Sequence, residues 1–198
     1  MVRLRLTATG TSKESINSQL DALFSTLQQL TAAYLVINED IPLDLAIGKL
    51  LLQKNATIAT AESCTGGYIA HLLSQHAGAS AYYKGSLVTY ANQAKQDLLQ
   101  VTEQTLQTVG AVSEETVIQM ATHANTLLKT NYAIAVSGIM GPTGGTDTKP
   151  VGTVWVAVAG AEKASAMLLH LRFDRLRNIQ LTAINALNFA RKFILEND

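Results

Sequence analysis

The chain has 198 residues, 47% hydrophobic and 15% charged, and its 15 basic residues balance its 15 acidic ones. That length supports one sizeable core with room for a smaller appendage, and neutrality offers little nonspecific attraction for nucleic acid or anionic lipid. The single cysteine, Cys64, excludes an internal disulfide framework and predicts a reducing, cytoplasmic setting.

Met1 to Gly10 alternates Arg3 and Arg5 with Leu4 and Leu6, which predicts a strand over Val2 to Thr9 rather than the continuous apolar core of a signal peptide. A helix is expected from about Ser12 to Leu30, with Ile16, Leu20, Leu23, Leu27 and Leu30 as its apolar stripe, followed by a strand over Ala33 to Asn38. Residues 1–40 thus read as a small α+β appendage, and one helix with two strands makes a poor core. Glu39-Asp40-Ile41-Pro42 reads as a linker, and residues 43–198 as the main domain.

The main domain opens with an amphipathic helix over Leu43 to Leu52. A β-branched run, Thr57 to Ala61, then hands over to a helical pattern at Ile69, Leu72, Leu73 and His76. The connection carries Glu62-Ser63-Cys64-Thr65-Gly66-Gly67, so two candidate nucleophiles sit where a strand meets a helix. Unpaired helix amides there are expected to hold an anion or a developing oxyanion. Cys64 is the intrinsically better nucleophile when ionised, but no histidine is evidently paired with it.

A strand is expected over residues 84–90, a short helix from Gln93 to Leu99 capped by Asn92, and a long helix from Glu114 to Lys129 capped by Ser113. Tyr90 ends the strand, and Lys95 lies one turn into the short helix. Strands follow at Tyr132 to Val136, Thr153 to Ala159 and Ala166 to Phe173, and a last helix runs from Arg175 to about Leu195. This order predicts an α/β fold, a three-layer sandwich around a largely buried, central mixed sheet. The segment Gly138 to Gly152 is rich in glycine and threonine, which suits a phosphate or a ribose. It lacks the Gly-Lys-Thr ending of a nucleoside-triphosphate loop and the spacing of a dinucleotide fingerprint. An arginine at a helix start, such as Arg175 or Arg177, points to an anionic partner, because that end disfavours cations. The scattered histidines His71, His76, His123 and His170 form no metal-binding pattern, and neither a metal nor a cofactor is expected.

The strings TAESCTGG, VTYANQAK, GAVSEETV, SGIMGPTGG and KPVGTVW, in this order, resemble the CinA C-terminal domain family, whose characterised enzymes are nicotinamide mononucleotide deamidases of the PncC type. The match covers residue 43 to the end, and residues 1–40 resemble part of the connecting module that precedes this domain in full-length CinA. The resemblance implies a serine hydrolase that works without histidine. It makes Ser63 the nucleophile, Lys95 the general base and Tyr90 its helper, with Ser137 and Arg175 as further site residues. The substrate-binding set expected with them is Cys64, Thr65, Gly66, Ser137, Gly141, Gly144, Gly145, Arg175 and Arg177. The chain departs from the family in reading Phe173-Asp174-Arg175 for Gly-Asp-Arg, and Ile179 stands where relatives carry a second arginine, which leaves Arg177 as the substitute. The implied partner is a pyridine mononucleotide, with no nucleic acid and no membrane, and the implied assembly is a homodimer or higher homo-oligomer. A noncatalytic nucleotide-binding module is the alternative reading.

Overall fold

A computed structural model describes residues 3–197, which fall into two compact units, Met1–Pro42 and Leu43–Asp198. In the first unit, helix α1 spans Lys13–Leu30, and Ser12 caps it by accepting from the Ser15 amide at 3.4 Å. None of its residues is buried, and Leu23 and Leu30 stay largely exposed. The two strands expected on either side of this helix are not formed. Residues 3–10 have no regular structure, residues 31–34 make a turn, and Val2 lies outside the described residues. The physical reason is pairing: an extended segment with no neighbouring ladder leaves its backbone groups to water.

The second unit runs α2 (Leu43–Gln53), β1 (Ile58–Glu62), α3 (Tyr68–Ser74), β2 (Tyr83–Val88), α4 (Asn92–Leu99), α5 (Glu103–Thr108), α6 (Glu114–Leu128), β3 (Tyr132–Gly138), β4 (Thr153–Ala159), β5 (Ala164–His170) and α7 (Arg175–Glu196). Helix α5 was not anticipated. Its six residues are too few for periodicity to register, although Thr102 caps it by accepting from the Thr105 amide. The helix expected to be capped by Asn92 is instead capped by the extended Ala91 without a side-chain bond, and Asn92 is its first residue. Ser113 does cap α6, accepting from the Thr116 amide at 3.2 Å.

The strands form one mixed sheet in the order β2-β1-β3-β4-β5. β1 runs parallel to both β2 and β3, whereas β3-β4 and β4-β5 are antiparallel. α6 packs across β1, β3, β4 and β5, while α7 contacts β3 and β4 together with α2 and α3. That is the expected three-layer α/β sandwich. Ala59, Ala61, Ala133, Ala135, Ala157 and Ala159 lie beneath Val117, Met120, Ala121 and Ala124 of α6. Small residues at the strand centres let this helix sit close to the sheet.

β1 has crossover connections on both sides, so its carboxyl end opens between β2 and β3. In open α/β sheets a crevice forms at such a point. Among the described residues no helix is long and apolar enough to cross a membrane.

Candidate active site

Ser63 is the first residue beyond β1, and strand alternation decides where its side chain goes. Ala59 and Ala61 face the layer of α6 and α4, where they pack with Leu99, so Ser63 continues that face. Glu62 takes the opposite face. Its carboxylate accepts from the Gly67, Ile69 and Ala70 amides at 3.1, 3.0 and 2.7 Å, and from the Thr65 hydroxyl at 2.6 Å.

This corrects one expectation, because the first amides of α3 are already occupied by a buried internal carboxylate. The chain's own anion fills the place proposed for a ligand's. The Gly66 amide is also engaged, with the Ser63 carbonyl, and the Ser63 amide donates to the Val136 carbonyl at 3.1 Å. The Cys64 and Thr65 amides donate to no carbonyl in this turn. Gly66 and Gly67 adopt φ of +61° and +99°, left-handed values that permit this tight turn from strand to helix.

Lys95 comes from α4 and is 1% exposed. Its Nζ lies 3.0 Å from Ser63 Oγ, 2.8 Å from the Thr89 carbonyl oxygen and 3.4 Å from that of Tyr90. Burial pushes its ammonium below the usual 10.5, because desolvation disfavours the charged form. An ammonium has three N–H donors and would give all three away. A neutral amine in this place has two N–H groups for the carbonyls and a lone pair for the Ser63 hydroxyl proton. Burial raises the Cys64 thiol to about 12, so Cys64 is a packed neutral side chain.

On the other side of Ser63 stands Ser137, the neighbour implied by the β1-β3 register, in which Glu62 pairs with Val136. Its Oγ donates to the Ala111 carbonyl at 2.7 Å. Arg175, in the first turn of α7, donates from Nη1 to the Gly141 carbonyl and from Nη2 to the Tyr90 hydroxyl, each at 2.9 Å. Both acceptors are neutral, so its charge is left available to an anion. Asp174 caps α7 by accepting from the Arg177 amide, and the fully buried Asn178 fixes the approach to this site. The Asn178 side-chain amide donates to the Met140 and Phe173 carbonyls and accepts from the Phe173 amide.

Ser63, Cys64, Tyr90, Lys95, Ser137 and Arg175 therefore meet on one cavity of about 230 Å³. Of the other expected binding residues, Thr65, Gly66, Gly141, Gly144, Gly145 and Arg177 do not line it. The glycine-rich loop folds back on itself: a Cβ on Gly141 would lie 2.5 Å from Val151 Cγ1, and one on Gly145 would lie 2.7 Å from the Val151 nitrogen. Close packing against Val151 accounts for glycine at these two positions. Asn92, Ala111, Val112, Gly138 and Met140, which lie within the quoted motifs but were given no role in the site, complete the lining. They are ordinary in sequence, and only the fold brings them together.

A larger groove of about 890 Å³ lies within the first unit, walled by side chains such as Leu4, Phe24, Leu27 and Tyr34, and it holds no nucleophile against a buried base. Among the described residues no group of three potential metal ligands occurs.

The fold and this geometry define a class: α/β proteins in which a central parallel strand ends at a buried serine–lysine pair. The chain belongs to the CinA C-terminal domain family, whose model matches residues 40–194. A CinA-like protein of Cytophaga hutchinsonii is 43% identical over 195 residues, covering 98% of this chain and 47% of the relative. One from Salinibacter ruber is 41% identical over 191 residues, covering 96% and 46%. The chain thus spans about half the length of the curated relatives it matches. Among solved structures, a competence-damaged protein (CinA) superfamily protein from Klebsiella pneumoniae has a TM-score of 0.76 at 33% identity and covers 78% of this chain and 96% of its own. The competence/damage inducible protein CihA from Agrobacterium tumefaciens has a TM-score of 0.72 at 34% identity, covering 79% and 98%.

Proposed function

We propose that the chain is a nicotinamide-nucleotide amidohydrolase, converting nicotinamide mononucleotide and water to nicotinate mononucleotide and ammonia. The observation that carries this reading is the 3.0 Å approach of Lys95 Nζ to Ser63 Oγ in a site where burial favours the neutral amine. A serine is a weak nucleophile until a base stands within hydrogen-bond reach of its proton. Here a lysine takes the place that histidine holds in other hydrolases.

In the proposed reaction Ser63 Oγ attacks the carboxamide carbon while Lys95 takes its proton. The amides of Cys64 and Thr65 are the donors left to meet the developing oxyanion, a contribution of roughly 3 kcal/mol per donor in well-studied hydrolases. The C–N bond breaks as the Lys95 ammonium protonates the departing nitrogen, which leaves as ammonia. Water, deprotonated by Lys95, then attacks the acyl-enzyme and releases the carboxylic acid and Ser63. Val112 and Met140 supply apolar wall for a pyridine ring, and the uncompensated charge of Arg175 suits the ribose phosphate.

Ammonia release from nicotinamide mononucleotide by the purified protein tests the proposal. Turnover that disappears in Ser63→Ala supports it. Release no greater than from that variant, at high enzyme concentration, refutes it.

A further inference from the structure

Ser137 is 2% exposed, yet it lines the cavity beside the nucleophile, and its hydrogen bonding gives it a definite polarity. Its single hydroxyl proton goes to the Ala111 carbonyl at 2.7 Å. A serine hydroxyl has one donor and two acceptor lone pairs, so what remains for a ligand is acceptor capacity only.

That polarity is held from behind. The adjacent Gly110 carbonyl accepts from the Ser113 hydroxyl at 2.9 Å and from the Thr116 hydroxyl at 2.9 Å, and Lys149 Nζ donates to the Val109 carbonyl at 2.6 Å. The segment carrying the Ala111 carbonyl is thereby fixed, and the Ser137 proton stays on it.

The sheet register places this acceptor next to the chemistry. Val136 pairs with Glu62 across two parallel strands, and the Ser63 amide reaches the Val136 carbonyl at 3.1 Å. Ser63 and Ser137, one residue further on each strand, stand side by side on the face shared by Ala61 and Ala135. Neighbouring strands lie about 4.8 Å apart, so the register brings a substituent on a carbon bonded to Ser63 Oγ into the neighbourhood of Ser137 Oγ.

We infer that Ser137 Oγ accepts an N–H of the substrate's carboxamide and thereby selects an amide over the corresponding carboxylic acid. The inference rests on the amidohydrolase reading and deepens it, because it names the residue that distinguishes substrate from product. A carboxamide nitrogen brings two N–H groups, one of which meets the Ser137 lone pair, while the nitrogen's own lone pair, freed in the tetrahedral intermediate, is what the Lys95 ammonium protonates. A carboxylate brings lone pairs and negative charge to the same point. To accommodate it, Ser137 must turn its proton away from Ala111 and leave a buried carbonyl unpaired, which is costly. The product of the reaction is then the poorer ligand at this position, which favours its release.

Binding of nicotinamide mononucleotide and nicotinate mononucleotide by titration calorimetry tests this, with Ser63→Ala as the nonhydrolysing background and Ser137→Ala or Ser137→Thr added to it. Replacing Ser137 by alanine should shift the amide-to-acid preference toward the acid by about tenfold, the scale of one ordinary hydrogen bond. Threonine, which keeps the hydroxyl, should restore the preference. An amide-to-acid ratio unchanged by Ser137→Ala, in a protein that releases ammonia normally before mutation, overturns the inference and leaves the amidohydrolase reading standing. Failure of the unmutated protein to turn over the mononucleotide or to bind either nucleotide overturns both. If Ser137→Ala does not fold, product inhibition of the unmutated enzyme decides: acid binding as tight as amide binding overturns the inference, and clearly weaker acid binding upholds it.

Discussion

Lys95 Nζ stands 3.0 Å from Ser63 Oγ although the two residues are 32 positions apart, and its other contacts are the Thr89 and Tyr90 carbonyl oxygens. No carboxylate is among these partners, so only neutral acceptors would meet a positive charge on the amine. The arrangement favours the form of lysine that can accept a proton.

Lys95→Arg tests that chemistry, because arginine keeps length and charge but does not release its proton in proteins. It should lower kcat by roughly a thousandfold or more, as should Lys95→Ala and Ser63→Ala, and the double variant should lose little beyond either single one. Steady-state ammonia release measures this. Activity of Lys95→Arg within tenfold of the unmutated protein would remove Lys95 as the base.

Activity should rise with pH as Lys95 loses its proton, this ascending limb having an apparent pKa below 10.5, since burial lowers the folded-state value. The linkage has a definite sign. Between the lowered folded value and the unfolded value, the unfolded chain binds the extra proton, so this group's contribution makes stability increase with pH across that window. Below the folded value its unfavourable contribution is fully present. Comparing denaturant midpoints of the unmutated protein and Lys95→Met from pH 7 to 10 isolates it, and a difference that does not narrow as pH rises contradicts the assignment.

Arg175→Ala should raise KM for the mononucleotide about 10- to 100-fold with a smaller change in kcat, because it removes a charge that binds ground and transition states alike. Tyr90→Phe deletes the hydroxyl that accepts from Arg175 Nη2 and should raise KM several-fold. The nucleoside lacking the phosphate discriminates: its kcat/KM should be nearly the same with and without Arg175. An equal loss on nucleoside and nucleotide would place Arg175 elsewhere than at the phosphate.

Asn178→Ala removes three side-chain hydrogen bonds, one tying α7 to the Met140 carbonyl and two to the Phe173 backbone just ahead of the helix. A loss of about 2–4 kcal/mol is expected in chemical denaturation. A higher KM should accompany it, since the same contacts set the position of Arg175. Wild-type stability in this variant would show that water replaces the amide at little cost.

Cys64→Ala should retain activity within several-fold, and the native thiol should resist iodoacetamide at pH 8, because burial raises it to about 12 and leaves little thiolate. Rapid alkylation with loss of activity would return Cys64 to the list of nucleophiles. Mass spectrometry of the treated protein reads the outcome directly.

The elements of the second unit were largely legible because each carried a strong local signal. α6 has Ser113 as its cap and an apolar stripe, and β4 is a short β-branched run between glycines. The strands expected around α1 failed for a nonlocal reason: alternation such as Arg3-Leu4-Arg5-Leu6 gives a strand only where another strand lies beside it. The glycine-rich loop misled in another way. Gly141 and Gly145 answer to crowding by Val151, which composition does not reveal.

The amino-acid sequence alone determined the class of fold, the family and the identity of the serine, lysine, tyrosine and arginine that meet at the site, because periodicity, caps and ordered motifs are local properties of a chain. Tertiary structure decided the relationships among them. Parallel pairing of β1 with β2 and β3 aligned Ser63 with Ser137, burial shifted Lys95 toward its neutral form, and Glu62 closed the helix terminus that had looked open to a ligand. Distances, desolvation and the direction of a hydroxyl proton depend on groups far apart in the chain, and they exist only once the sheet has assembled.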